Sequence, residues 1–205
     1  MNYEHFVIVL SSPSGTGKST LTKKLLEKYS NIKLSTSATT RAPREGEVDG
    51  FHYHFITQED FDKRVANNEF LENAGVFGKS YGTLKSDVQS KFDNGNDVLL
   101  DIDWQGALNV TKQETNRKKL VKIFILPPSI NELRQRLEGR GTDSREVIDK
   151  RMDDAQNTIS HYNEYDYVLV NDNLDVCFEK LCSIIESKRV ENENLNDLIK
   201  NLLEE

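Results

Sequence analysis

The chain has 205 residues, of which 36% are hydrophobic and 30% are charged, and its formal net charge is −7. This length fits one domain, and the negative balance argues against general nucleic-acid binding while allowing local arginines to hold a small anion. The spacing of the two cysteines, Cys177 and Cys182, on one predicted helix disfavours a disulfide. We therefore expect packed thiols in a reducing, cytoplasmic environment. The apolar runs are too short for a signal peptide or a transmembrane helix, so we expect no membrane partner.

A predicted strand over residues 6–10 and a predicted helix over residues 21–29 are joined by a loop of small residues. The loop reads Ser12-Pro13-Ser14-Gly15-Thr16-Gly17-Lys18-Ser19-Thr20. It fits the phosphate-loop pattern G-x-x-x-x-G-K-[ST], except that Ser12 stands where the pattern has glycine. We expect backbone N–H groups to face phosphate oxygens, Lys18 to reach the β- and γ-phosphates, and the Ser19 hydroxyl to hold Mg²⁺. A simple turn between strand and helix is the alternative, and the Lys18-Ser19 pair argues against it.

The region between residues 37 and 83 lacks the strand–helix alternation of the rest. Arg41 and Arg44 lie around a proline in an ordered loop, and two guanidinium groups this close repel each other unless an anion lies between them. A solvated charged turn is the alternative for either arginine alone. We predict strands over residues 32–37 and 51–56, short strands or turns over residues 70–73 and 78–83, and a helix over residues 58–68. The region is interpreted as an inserted substrate-binding subdomain, with His52 and His54 as strand residues rather than metal ligands.

Two carboxylates end the next predicted buried strand, over residues 97–103, which comes after a predicted helix over residues 84–92. An acidic residue at such a strand end organises Mg²⁺ in phosphate-loop enzymes, so Asp101 and Asp103 are candidates. Capping of the next helix is the alternative for Asp103, and the two roles are compatible.

An arginine-rich segment comes after the predicted strand over residues 120–126, which two prolines end. Ser129 is predicted to cap a helix over residues 130–138, and a glycine-flanked break lies at residues 139–141. The arginines of this segment are Arg134, Arg136, Arg140, Arg145 and Arg151. We interpret residues 129–156 as a lid that closes over phosphates. An ordinary surface helix with i,i+4 ion pairs is the alternative, and we expect it for Arg134 and Arg145.

The last predicted strand covers residues 167–170 and precedes a helix over residues 174–186 and an amphipathic tail from residue 187 onward. The tail packs either on the domain or on a second subunit, so a homodimer is left open. The alternation of strands and helices outside the insert predicts an α/β fold. Its mainly parallel sheet is flanked by helices and binds ligands at the carboxyl ends of the strands.

Short motifs that belong together are spread between residues 6 and 186. They are the phosphate loop, residues 37–44, Gly46-Glu47, Asp49-Gly50, residues 68–72, Tyr81-Gly82-Thr83, residues 100–106, Arg136-Leu137 and Gly139-Arg140-Gly141. This set resembles the guanylate kinase family, whose members phosphorylate GMP with ATP, while Ser12 and the tail depart from the family pattern. The resemblance implies a single P-loop nucleoside-monophosphate kinase domain over residues 1–205. Its parts are a core (4–36, 84–126 and 157–186), a GMP-binding insert (37–83) and a lid (129–156). The helical tail (187–205) is predicted from its amphipathic pattern and not from the resemblance.

The resemblance also implies roles for single residues. The GMP phosphate is assigned to Arg41, Arg44, Tyr53 and Tyr81. Guanine is assigned to Ser37, Glu72 and Thr83, with help from Asp103. Catalytic roles go to Lys18, Arg136, Arg140 and Arg151, and contact with adenine goes to Asn171. Mg²⁺ is assigned to Ser19 and, through water, to Asp101.

The implied reaction is direct in-line transfer of the ATP γ-phosphoryl group to GMP, and to dGMP, within purine metabolism. Another nucleoside-monophosphate kinase, a GTPase and a non-catalytic phosphopeptide-binding module of the same fold are the alternatives. Glu72 with Thr83 argues against the first, and the lack of an Asn-Lys-x-Asp motif argues against the second. The intact Lys18, Ser19 and lid arginines argue against the third.

Overall fold

The structure is a computed structural model that describes residues 5–76, 78–113, 119–139, 141, 144–191 and 196–204, with the backbone alone at 196–198. The described strands are β1 (Val7–Ser11), β2 (Ile32–Leu34), β3 (Ala38–Thr39), β4 (His54–Phe55), β5 (Phe70–Val76), β6 (Lys79–Leu84), β7 (Asp97–Asp101), β8 (Leu120–Leu126) and β9 (Tyr167–Val170). The described α-helices are α1 (Lys18–Lys28), α2 (Gln58–Ala66), α3 (Lys85–Asp93), α4 (Trp104–Gln113), α5 (Ile130–Glu138), α6 (Arg145–Ser160), α7 (Leu174–Arg189) and α8 (Asn196–Glu204). A short 3₁₀ helix covers Tyr162–Glu164.

The central sheet consists of five parallel strands in the order β2-β7-β1-β8-β9. Every residue of β1 is buried, because β1 lies between two other strands and has a core on each face, which explains its uninterrupted apolar sequence. Ile8 and Leu10 face α1 and α7, whereas Val7 and Val9 face α3 and α4. The predicted α/β fold is confirmed. Both cysteines are free and buried in the core on the α7 side, as expected for packed thiols.

A smaller mixed sheet has the strand order β4-β3-β6-β5. β5 and β6 form an antiparallel hairpin, and β3 pairs antiparallel with β6 and parallel with β4. Phe61 of α2 stacks on Phe70 of β5 with ring centroids 4.6 Å apart, which gives this sheet a small core of its own. Its strands fall between Ala38 and Leu84. The division of the chain into core, insert, lid and tail stays a prediction.

The strand predicted over residues 51–56 is much shorter in the structure, where only His54–Phe55 is a strand. Gly50 adopts a φ of 75°, and the Val48 carbonyl accepts hydrogen bonds from the N–H groups three and four residues later. These contacts form a turn, which leaves only the end of the alternating aromatic run to pair with β3.

The helices α5 and α6 pack together through a compact apolar cluster. Its buried members are Leu133, Leu137, Ile148, Met152 and Ala155. The Ser129 hydroxyl accepts from the Glu132 N–H at 3.1 Å, so the predicted cap of α5 is confirmed.

The helix predicted over residues 174–186 is longer in the structure, where α7 continues to Arg189. The Ile199, Leu202 and Leu203 side chains of α8 are exposed, so a homodimer through this helix stays an open prediction. Within the described ranges, no helix has the length and apolar composition needed to cross a membrane.

Candidate active site

The loop between β1 and α1 turns around two glycines. Gly15 and Gly17 have φ values of 98° and 94°, which side-chain-bearing residues rarely adopt. A Cβ on Gly17 would lie 2.6 Å from Asn171 Nδ2, and a Cβ on Gly15 would lie 3.0 Å from Leu133 Cδ1 of α5. The loop therefore has the strand–loop–helix form expected for phosphate binding, and its glycines also let neighbouring elements approach closely.

Ser12, which stands where the motif has glycine, takes part in fixing the loop. Its Oγ donates a hydrogen bond to the Pro13 carbonyl at 3.0 Å, and Thr16 Oγ1 donates to the same oxygen at 3.1 Å. Ser19 and Thr20 lie in the first turn of α1, and both are exposed. The substitution of glycine by serine is thus compatible with an ordered loop.

Lys18 and Asp101 form an ion pair at the carboxyl end of the central sheet. The register of β1 on β7 places Leu10 opposite Asp101, which brings the carboxylate beside the loop. The Ser19 hydroxyl and the Asp101 carboxylate suit Mg²⁺, which is usually bound by one or two protein oxygens together with water and phosphate oxygens. In the described ranges, no group of three or more His, Cys, Asp or Glu side chains could hold a metal ion alone. The chemistry of these two oxygen donors fits Mg²⁺, and the magnesium site stays a prediction.

Two of the predicted lid arginines contact the phosphate loop or Asn171, which lies beside it. Arg151 of α6 donates a hydrogen bond to Ser14 Oγ at 2.6 Å. Arg136 of α5 donates to the Asn171 carbonyl at 3.0 Å, while its Nε donates to Glu132 at 2.8 Å. Both guanidinium groups therefore lie near the loop.

The other arginines of this segment differ from these two. Arg134 pairs with Asp149 at 2.7 Å, which is a surface ion pair as expected, although it joins α5 to α6 rather than two turns of one helix. Arg145 is exposed at the start of α6. Arg140 lies outside the described residues, so its predicted catalytic role stays a prediction.

Asn171, predicted to contact adenine, lies directly against the phosphate loop. Its side chain is buried, and Nδ2 donates to the Thr16 carbonyl at 2.6 Å. This hydrogen bond explains why Gly17 has no room for a Cβ. The contact with adenine stays a prediction, and the structure adds a role for the same side chain in holding the loop.

In the insert, Glu47 organises the loop that carries the two arginines. Its carboxylate accepts two hydrogen bonds of 2.8 Å from the Arg41 guanidinium and one of 2.7 Å from the Arg44 backbone N–H. These contacts, with Arg41 contributing most, lower the pKa of Glu47 to about 2. The negative charge expected between the two closely spaced arginines is therefore supplied partly by the Glu47 carboxylate. The Arg44 side chain is exposed, and the binding of GMP phosphate stays a prediction.

Two tyrosines lie beside Arg41. The Arg41 guanidinium lies 5.3 Å from the centroid of the Tyr53 ring, and the Tyr53 and Tyr81 rings are arranged edge to face at 6.1 Å. Burial raises the pKa of Tyr53, and the Asp101 carboxylate raises it further. The Tyr53 hydroxyl is therefore within the electrostatic influence of Asp101, the residue that ends β7.

Glu72 of β5 is 3% exposed and has an unusual environment for a carboxylate. Thr83 Oγ1 donates to one of its oxygens at 2.6 Å. Burial raises the pKa of Glu72 to about 7, and the nearby Asp103 carboxylate raises it too. A Cβ on Gly106 of α4 would lie 2.6 Å from Glu72 Oε2, so this glycine leaves space for the carboxylate. Ser37 is half-buried just before β3 of the same sheet.

Asp103 interacts electrostatically with Lys18 and with the Glu72 carboxylate. It accepts hydrogen bonds from the Gly106 N–H at 2.9 Å and from Gln105 Nε2 at 3.1 Å, so its predicted role as a helix cap is confirmed. Burial raises the pKa of Asp103, and the Lys18 ammonium acts in the opposite direction. Asp103 is therefore near enough to both the Glu72 carboxylate and the Lys18 ammonium to interact with their charges.

Two residues of this site were not assigned a role from the sequence. Glu47 and Gly106 both lie in the motifs that carry the family resemblance, but a motif gives no direction for a side chain. Their contacts with Arg41 and Glu72 depend on a folded loop and on a helix packed across a strand.

Comparisons with known proteins agree with this arrangement. A family model described as Guanylate kinase matches residues 4–188. A guanylate kinase from Ruegeria sp. is 53% identical over 184 residues, which cover 90% of this chain and 84% of the relative. One from Rickettsia felis is 52% identical over 183 residues, covering 89% of this chain and 94% of the relative. A crystal structure of guanylate kinase from Anaplasma phagocytophilum superposes with a TM-score of 0.78 at 35% identity, covering 98% of this chain and 96% of that one. The chain belongs to the guanylate kinase family.

Proposed function

We propose that this chain transfers the γ-phosphoryl group of ATP to GMP, giving ADP and GDP, and that dGMP is a second acceptor. One observation carries the proposal. Glu72 is a buried carboxylate with a hydroxyl partner and no ion pair among the described side chains, and the Asp103 carboxylate, which caps α4, interacts with it electrostatically. A polar group buried in this way is suited to a ligand that supplies the missing hydrogen bonds.

Guanine has the donors that this carboxylate lacks. Its N1–H and 2-amino groups are adjacent, so one carboxylate can accept hydrogen bonds from both. Adenine has neither donor, and its binding would leave Glu72 desolvated and unpaired, which typically corresponds to a discrimination factor of about 10⁴–10⁵. Thr83, Ser37 and Asp103 complete the polar surroundings of the base.

Direct in-line transfer is the reaction that these groups support. An oxygen of the GMP phosphate forms a bond to the γ-phosphorus while the bond from that phosphorus to the β–γ bridging oxygen breaks, and ADP leaves. Because the acceptor is already an anion, no general base is required. Lys18, Arg136, Arg140 and Arg151 neutralise charge and position the phosphoryl group.

The remaining roles divide between the two substrates. Arg41, Arg44, Tyr53 and Tyr81 hold the GMP phosphate, and the loop of residues 12–20 holds the ATP phosphates beside Asn171. Ser19 and Asp101 hold Mg²⁺, which supplies charge neutralisation on the phosphates when it is bound. Closure of the lid and the insert excludes water and limits ATP hydrolysis. The cytoplasmic location and a place in purine metabolism are part of the same proposal.

A coupled assay of ADP release tests the proposal. ATP and Mg²⁺ are supplied with GMP, dGMP, AMP, CMP or UMP in turn, for the wild type and for Glu72→Ala. We expect turnover with GMP and dGMP only, and at least a hundredfold loss in Glu72→Ala. Glu179→Ala, an exposed glutamate on α7, is the matched control and should behave as the wild type.

Absence of turnover with every monophosphate would overturn the proposal. In that case, binding of phosphopeptides to the arginine loop becomes the next property to measure. Equal turnover with AMP and GMP would retain a kinase but contradict the role of Glu72.

A further inference from the structure

We propose that Trp104 and His161 are positioning residues that hold α6, and with it Arg151, against the phosphate loop. Their rings are stacked with centroids 3.5 Å apart and an angle of 8° between the ring planes. The pair joins the first residue of α4 to the residue that caps the carboxyl end of α6. It is a contact between two elements that carry groups of the site, and neither ring belongs to the proposed substrate contacts.

Trp104 is a firm attachment point because α4 is fixed on the guanine side of the site. Gln105 Nε2 donates to the Gly75 carbonyl at 3.3 Å, and Asn109 Nδ2 donates to the Asn73 carbonyl at 2.9 Å, so two side chains bind α4 to β5. The Asp103 carboxylate caps the same helix immediately before Trp104. The ring of Trp104 therefore has little freedom to move relative to the pocket around Glu72.

His161 lies at the end of a helix whose inward face runs back to the phosphate loop. Arg151 lies ten residues earlier, or about 15 Å along a helix, and donates to Ser14 at 2.6 Å. Ala155 and Thr158, between them, are buried on the same face. Because a helix is stiff, a contact that fixes its end also fixes the direction in which Arg151 approaches the loop.

This geometry matters because positioning dominates phosphoryl transfer. A misplacement of about 1 Å costs on the order of 10²-fold in rate. Loss of the stack leaves Arg151 in the chain but relaxes the end of α6. The expected result is a lower kcat with little change in either KM, since ground-state binding of the substrates uses other side chains.

The kinetic test uses His161→Ala and rests on the proposed function. We expect kcat with ATP and GMP to fall about tenfold, with both KM values within about twofold of the wild type. His161→Phe keeps an aromatic ring and should restore kcat to within about twofold. Asn163→Ala, an exposed neighbour, is the matched control. An unchanged kcat in His161→Ala, or no rescue by His161→Phe, overturns the proposal.

A double-mutant cycle separates positioning from general structural damage. If His161 acts through Arg151, the His161→Ala change should have no further effect on kcat in an Arg151→Ala background. Additive losses in the double variant would contradict the proposal. Thermal unfolding of each variant checks that the assay temperature lies well below its midpoint.

Fluorescence tests the stack independently of turnover, because Trp104 is the sole tryptophan in the sequence. We expect His161→Ala to change the emission intensity and to raise quenching by acrylamide about twofold, with His161→Phe close to the wild type. The Trp104→Phe variant gives the background emission of the protein without its tryptophan. Unchanged emission and quenching in His161→Ala would contradict the stacking of the two rings and overturn the proposal, even if GMP is phosphorylated. A changed emission in an enzyme that phosphorylates nothing would instead contradict the proposed function.

Discussion

Glu72 and Asp97 are both 3% exposed, yet their surroundings are opposite. Asp97 begins β7 at the amino end of the central sheet, where Arg189 Nη2 donates to it at 3.0 Å and the Phe6 N–H donates at 3.4 Å. The same arginine also donates to Asn31 at 3.2 Å. Glu72 has the Thr83 hydroxyl and, among the described residues, no cation. A buried carboxylate with its charge already paired stabilises the fold, whereas one without a cation is available to a ligand.

The same contrast appears in the elements that carry the partners. Arg189 belongs to the last turn of α7, and its guanidinium lies 4.9 Å from the centroid of the Tyr29 ring. At the amino end of the central sheet, the charged side chains are therefore paired with other side chains of the protein. At the site end, Lys18, Arg136 and Arg151 come from elements that border the phosphate loop. Their partners include carboxylates, a hydroxyl and a carbonyl, which phosphate oxygens can replace.

Glu72→Gln should give the largest effect on activity. The amide presents a donor to the guanine donors, so we expect kcat/KM for GMP to fall about 10³–10⁴-fold, which is about 4–5.5 kcal/mol. The free energy of unfolding at pH 8 should stay equal or rise, because the substitution removes a buried charge. Steady-state kinetics and urea denaturation of the same preparation check both parts. A large loss of stability would place Glu72 with Asp97 as a structural group.

Asp97→Asn should have the opposite effect to Glu72→Gln, with a large loss of stability and nearly unchanged activity. Removal of the charge leaves Arg189 largely buried without its carboxylate, and we expect a loss of about 3 kcal/mol in the free energy of unfolding. When kcat/KM is measured at a temperature below the unfolding midpoint, it should remain within about twofold of the wild type. The reason is that Asp97 lies at the end of the central sheet opposite to the phosphate loop. Urea denaturation and the GMP assay measure the two quantities. Lost activity in a fully folded variant would contradict the comparison.

Gly106→Ala changes the surroundings of Glu72 without changing its charge. The added methyl group would lie 2.6 Å from Glu72 Oε2, so the carboxylate must move. We expect KM for GMP to rise about tenfold, or about 1.4 kcal/mol, with KM for ATP unchanged. Gly75→Ala is the matched control, because no atom lies within 4 Å of the Cβ it would add. Equal effects of the two substitutions would mean that Gly106 does not shape the pocket.

Much of the fold could be predicted because local signals and tertiary structure agree. The strand Leu120–Leu126 and the helix Ile130–Glu138 have the predicted bounds, since an apolar run ends at two prolines and Ser129 caps the helix after them. β2 ends earlier than predicted. The N–H of Thr36 and the hydroxyl of Ser35 both donate to Asp87 of α3, a partner distant in sequence.

The site divides in the same way. Glycines and Lys18 in the loop could be predicted from spacing alone, because the motif requires them at fixed positions. The contact of Asn171 with Thr16 and the contact of Gly106 with Glu72 join residues more than thirty positions apart and arise only from packing. Sequence motifs indicated that these residues matter but not which atoms they meet.

The smallest predicted effect is the pH dependence that follows from the raised pKa of Glu72. Because burial raises its pKa from 4.5 to about 7, the protonated form favours folding, and this stabilisation is lost as the pH rises from about 4.5 through about 7. Binding of guanine requires the carboxylate and should change in the opposite direction. Guanosine is the suitable probe, since it has no phosphate to titrate. We expect guanosine to inhibit about fivefold more weakly against GMP at pH 6 than at pH 7, because the ionised fraction of Glu72 falls.

The Asp103 carboxylate, whose pKa is also raised by burial, raises the pKa of Glu72. Asp103→Asn should therefore shift the midpoint of this pH dependence downward without removing the dependence. A constant inhibition constant across this range would mean that Glu72 is ionised throughout, and its burial would then have to be offset by a partner as it is at Asp97.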